Sequence, residues 1–136
     1  MTRETLHVQI LAFDGVEALD FAGPFEVFTT ASRVHARRHA SEAPLFDVKS
    51  VAVGNVVQAR AGLRLIPDST LAEAPPQADV LIVPGGVVDA PLGNAETLAW
   101  IKSQAPAARI TASVCTGAFL LAASGVLKGN SRVTTH

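Results

Sequence analysis

The alternation of apolar and polar residues divides the chain into short extended runs and longer helical ones. Leu6 to Phe13 (LHVQILAF) reads as a buried strand, closed by the turn signal Asp14-Gly15. From Asp20 to Val34, the residues Phe21, Phe25, Val27, Phe28 and Ala31 recur at mostly helical spacing. Asp20 stands where an N-cap would, and Gly23-Pro24 makes the first turn irregular. Residues 35–44 read as a polar loop. Phe46 to Val53 (FDVKSVAV) alternates as a second strand, and Leu63 to Ile66 adds a short extended piece.

Val80 to Val83 (VLIV) is an unbroken apolar run stopped by Pro84-Gly85-Gly86, which fits a parallel strand covered on both faces. Asn94 to Ala105 reads as a helix capped by Asn94. Arg109 to Val114 is a further buried strand, and Thr116 to Leu127 a helix of small residues. The alternation of strand and helix predicts an α/β fold with a mostly parallel sheet between helices. With no repeat, low-complexity tract or linker, residues 1–136 form a single domain.

Composition narrows the function classes. Of 136 residues, 49% are apolar and 17% charged, which suits a packed core and not a disordered chain. A net charge of −1 gives nucleic acid or an anionic membrane no concentrated basic face. Arg33, Arg37 and Arg38 cluster with His35 and His39, but no aromatic platform accompanies them; they read as solvated surface at a helix end. One cysteine excludes an intrachain disulfide and a cysteine-rich zinc site. The longest apolar stretch, Ala118 to Leu127, is far short of a membrane span, and Met1 to Thr5 is no signal region. The expectation is a cytoplasmic protein.

Chemistry in open parallel sheets gathers beyond the carboxyl ends of the strands. Three segments reach that edge: Asp14 to Asp20, Pro84 to Val87, and Cys115 to Gly117. Cys115 lies between a β-branched strand and a small-residue helix, where a nucleophile can leave the sheet without crowding. The helix amino terminus favours negative charge on its sulfur. The bland alternative is a small buried apolar residue, as free cysteines often are. The amides of Pro84-Gly85-Gly86 could join that of Thr116 in stabilising charge developing on a substrate; otherwise the triplet is a plain tight turn. Asp20 and Glu17 are the carboxyl candidates for moving a proton, although Asp20 is equally explained as a cap. His136 is a candidate base or charge partner, against the usual frayed terminus. Glu26 and His7 read as ordinary surface and half-buried strand positions.

Together, Leu19-Asp20-Phe21-Ala22-Gly23-Pro24-Phe25-Glu26-Val27, Val83-Pro84-Gly85-Gly86, Val114-Cys115-Thr116-Gly117-Ala118 and Val133-Thr134-Thr135-His136 resemble the ThiJ/PfpI superfamily, relatives of class I glutamine amidotransferase domains. The resemblance implies a flavodoxin-like, three-layer αβα sandwich that forms homodimers. It implies catalytic roles for Cys115, Asp20 and Thr116, charge stabilisation or substrate binding by Gly85, Gly86 and Gly117, and neither metal nor organic cofactor. The family domain continues past the Thr-Thr-His stretch, so the C-terminal part is expected to be missing here.

The Asp-Phe-Ala-Gly-Pro and Cys-Thr-Gly forms look most like isocyanide hydratases and the amidotransferase-like sensor domains of AraC-type regulators. Thr116 stands where protease-like members carry histidine, which argues against a peptidase. The implied reaction is a lyase-type hydration, in which Cys115 adds to an isocyanide to give a thioimidate that is hydrolysed to an N-substituted formamide. The alternatives are a ligand-sensing domain of a regulator and a redox or glyoxal stress-response protein. A regulator's helix-turn-helix portion is absent from these residues, which favours the enzyme.

Overall fold

The computed structural model describes residues 3–129 and 131–135. Seven strands and four helices follow one another as β1 (Leu6–Leu11), α1 (Ala18–Arg38), β2 (Phe46–Ala52), β3 (Val57–Gln58), β4 (Arg64–Leu65), β5 (Ser69–Thr70), β6 (Val80–Val83), α2 (Asp89–Leu92), α3 (Ala95–Gln104), β7 (Ile110–Ser113) and α4 (Gly117–Ser124). Five of the strands form one parallel sheet in the order β5–β2–β1–β6–β7, and β3 pairs with β4 as a separate antiparallel hairpin.

The two faces of β1 explain the layers. Val8 and Ile10 point to one side, where Val80 and Ile82 of β6 join them beneath Phe21, Phe25 and Phe28 of α1. Leu11 points to the other, where Leu81, Val83 and Val51 meet Trp100 and Ile101 of α3 and Leu120 and Leu121 of α4. A strand buried on both faces needs apolar residues at consecutive positions, as Ile10-Leu11 and Val80 to Val83 provide. The result is the αβα flavodoxin-like arrangement.

From β1 the chain moves outward to β2 and β5 on one side, then crosses back to β6 on the other side of β1 and out to β7. The carboxyl ends of β1 and β6 therefore flank the point where the strand order reverses, the ordinary place for a site in such sheets. α4 reaches this edge because Gly117 has no side chain: a Cβ there would collide with the carbonyl oxygen of Val83 and lie 2.7 Å from that of Pro84.

Several elements depart from expectation. α1 begins before Asp20 and runs on through the expected loop to Arg38, so Asp20 lies inside the first turn and Glu17 is the N-cap. The helix accommodates Pro24, which removes only the hydrogen bond its amide would have made to the Asp20 carbonyl. Strand β7 is not a buried strand. It is the outer strand of the sheet in the described residues, with Ile110 exposed. His7 is exposed, not half-buried. The basic cluster forms the last turns of α1, where His35 and His39 face Glu42 at 3.1 and 3.4 Å.

Gly117→Ala should lower unfolding stability by about 1–3 kcal/mol, since its methyl group must push a backbone carbonyl aside. Gly129→Ala, into open space, should stay within about 0.5 kcal/mol of the parent. Urea unfolding followed by circular dichroism measures both.

Candidate active site

The site is built from three backbone segments tied edge to edge. Val16, fully buried, forms an isolated antiparallel bridge with Gly86. The Glu17 amide donates to the Gly85 carbonyl and the Val87 amide to the Gly15 carbonyl, both at 2.9 Å. From the other side, Thr116 clamps Gly86: its Oγ1 accepts from the Gly86 amide and donates to the Gly86 carbonyl, each at 3.0 Å. The Asp14–Asp20, Pro84–Val87 and Cys115–Gly117 segments thus meet as topology requires.

Only glycine allows this junction. Gly86 has φ 137°, and a Cβ there would meet the carbonyl of Gly15 and, at 2.5 Å, the amide of Glu17. A Cβ on Gly85 would lie 2.7 Å from both the amide and the hydroxyl of Thr116. Pro84-Gly85-Gly86 is therefore more than a tight turn. It is where two neighbouring chains approach the end of β6 as closely as backbones can.

Cys115 sits at the outer corner with φ 51°, the single non-glycine residue of positive φ among the described residues. That left-handed conformation is strained for an L-residue by about 1–2 kcal/mol. It turns the chain from β7 into α4 within three residues and leaves the cysteine exposed. The reading of Cys115 as a buried apolar filler is corrected by this exposure.

The neighbouring amides divide into two groups. Those of Gly86 and Gly117 are engaged, by Thr116 Oγ1 and the Val114 carbonyl. Those of Gly85 and Thr116 have no acceptor among the described residues. The Thr116 hydroxyl is turned to Gly86, so its part in the geometry is to brace the glycine turn.

Asp20 is not the cap of α1, yet its Oδ2 is buried with no hydrogen-bond partner among the described residues. Phe21 beside it packs on the apolar cluster of Val8, Ile10, Val80 and Ile82, against which Val114 also packs. Glu17 faces Arg60 Nη1 at 3.4 Å. Arg60 belongs to the turn joining β3 to β4, and its amide donates to the Val16 carbonyl. This hairpin supports the site from outside; its strand β4 falls within the extended piece expected over Leu63 to Ile66, while β3 and the pairing were unread, with Ala61-Gly62 as the available signal. His136 lies outside the described residues. Among those residues, no group of three His, Cys, Asp or Glu side chains could hold a metal ion.

Residues 6–136 match the model of the DJ-1/PfpI family. The chain belongs to that family. A Streptomyces lividans protein described as an uncharacterized protein in the cpoL 5′ region is 40% identical over 138 residues, covering all of this chain and 91% of its own length. Isonitrile hydratase of Pseudomonas putida is 39% identical over 132 residues, 96% of this chain and 52% of its own. A ThiJ/PfpI family protein from Pseudomonas syringae superposes with a TM-score of 0.74 at 29% identity, over 93% of this chain and 48% of that one. This DJ-1/PfpI chain thus spans about half the length of the hydratase and of that solved structure.

Gly85→Ala tests the junction. It should destabilise the fold by about 1–3 kcal/mol, since the new methyl group faces backbone and the Thr116 hydroxyl together. It should also change the rate of Cys115 alkylation under native conditions. Iodoacetamide labelling followed by intact-mass analysis reads the rate; an unchanged rate means that the glycine turn does not shape the cysteine's surroundings.

Proposed function

We propose that this DJ-1/PfpI chain carries the nucleophile of a cysteine-dependent hydratase that converts an isonitrile to an N-substituted formamide. The observation that carries the reading is the exposed, left-handed Cys115 beside two unengaged amides. The 39% identity to isonitrile hydratase supports the substrate class.

In this reaction the Cys115 thiolate adds to the terminal carbon of R–N≡C, forming the C–S bond. That carbon takes a proton from the Asp20 carboxyl, giving the thioimidate R–N=CH–S. Water then adds to the same carbon, with Asp20 as its base, while Gly85 and Thr116 N–H groups stabilise developing negative charge. The nitrogen takes that proton from Asp20, the C–S bond breaks as the new hydroxyl gives its proton to Asp20, and R–NH–CHO leaves with the thiolate and the carboxylic acid restored. Asp20 suits this role because its Oδ2 is buried without a partner among the described residues. Gly86 and Gly117 act by shape, and Thr116 by holding Gly86. No step calls on a metal or organic cofactor.

The same reading includes a homodimer. Leu19 and Val27 of α1 and Leu63 and Ile66 on and beside the β3–β4 hairpin are exposed apolar side chains of the kind a partner covers. No helix among the described residues is long and apolar enough to cross a membrane.

Cys115→Ala should abolish isonitrile turnover with the circular dichroism spectrum unchanged, and Asp20→Asn should lower kcat by about a hundredfold or more. Formamide release by mass spectrometry measures both. Retained turnover by Cys115→Ala removes the nucleophile assignment. Saturable isonitrile binding without turnover by the parent protein favours the sensor reading, and oxygen addition at Cys115 under peroxide without any adduct favours the redox one.

A further inference from the structure

A cavity opens beside Asp14 at the carboxyl ends of β1 and β2. Its volume is about 280 Å³, and none of its lining belongs to the Cys115 turn. Ala52, Val57 and Phe13 form its buried apolar walls, and the exposed Val53 and Val56 also line it. Valines beside an open cavity present apolar surface to solvent that a ligand would cover.

The charge in this cavity is one-sided. Asp14 lines it, and the Asp14 Oδ1 accepts from the Gln58 amide at 2.9 Å, which fixes the carboxylate. Its Oδ2 has no hydrogen bond, and no cation pairs with Asp14 among the described residues. No Lys, Arg or His lines the cavity. An exposed carboxylate at the rim of an apolar cavity that holds no cation is complementary to an organic ammonium ion carrying an apolar body.

We propose that this cavity is a second binding site, separate from the Cys115 centre, for a small primary amine with an aryl or alkyl body. The ammonium sits against Asp14 Oδ2 and the body lies between Ala52, Val53 and Val56. The site touches the catalytic edge through shared backbone: Gly15, next to Asp14, donates to the Gln58 carbonyl and accepts from Val87 beside the glycine turn.

The test titrates the ¹⁵N-labelled chain with benzylamine, with benzyl alcohol as its neutral counterpart and benzoate as its anionic one. Benzylamine should shift the amides of Asp14, Val56 and Asn94 saturably, with a Kd on the order of 1 mM. Benzyl alcohol should bind about tenfold more weakly, and benzoate should leave those amides unmoved. Asp14→Asn keeps the oxygen that accepts from Gln58 and removes the charge, so it should weaken benzylamine about tenfold without moving benzyl alcohol. Ala90→Leu, at an exposed lining position, should weaken both by narrowing the cavity. Equal binding of the amine and the alcohol, an Asp14→Asn variant that binds benzylamine as well as the parent, or shifts absent from these amides at about 10 mM amine would each overturn the proposal.

Discussion

The carboxyl edge of this sheet depends on one side chain spanning two backbones. Thr116 Oγ1 accepts a hydrogen bond from the Gly86 amide and donates one to the Gly86 carbonyl. Those are the backbone groups that the end of β6 can no longer offer to a ladder, and leaving them unpaired in a half-buried turn would cost about 1–3 kcal/mol each. Because Gly86 also bridges Val16, and Gly85 accepts from Glu17, the threonine ties the turn after β7 to the one after β1. Cys115 occupies the remaining corner. Its strained φ is sustained by structure on both sides, with the β7 ladder before it and Gly117 seated against Val83 and Pro84 after it.

This arrangement separates support from chemistry. Gly86, Gly117 and the Thr116 hydroxyl are occupied in holding the turn. The Cys115 side chain, the Gly85 and Thr116 amides and the buried Asp20 Oδ2 have no such engagement among the described residues, and it is to them that the proposed hydration assigns its chemistry. A methyl group on either Gly85 or Gly117 would act on both functions, since the glycines set how near the three segments come.

Much of the framework was legible in the sequence because burial on both faces leaves a plain mark. Val80 to Val83 with its Pro-Gly-Gly stop, and Asn94 capping α3 through the Thr97 amide, were read as they stand. The convergence of three loops followed from topology. The misreadings have local causes. Asp20 looked like a cap because its residue type favours caps, yet α1 starts at Ala18, and Glu17 ends up tied to Gly85 by its backbone. β3 and β5 are two residues each, too short for any periodicity to register. β7 read as a buried strand because an edge strand and a central one carry the same apolar residues. The role of Thr116 as a brace was illegible, since a hydroxyl's partner is set by tertiary approach and not by its neighbours in sequence.

The most direct test of the central claim is amide hydrogen exchange at Gly86, compared between the parent chain and Thr116→Val. If the threonine hydroxyl holds the turn, Gly86 exchanges slowly in the parent, and in Thr116→Val it speeds up by an order of magnitude or more while the β1 and β6 core amides keep their protection. Equal exchange at Gly86 in the two proteins would contradict it, because the glycine turn would then be held by something other than the threonine hydroxyl.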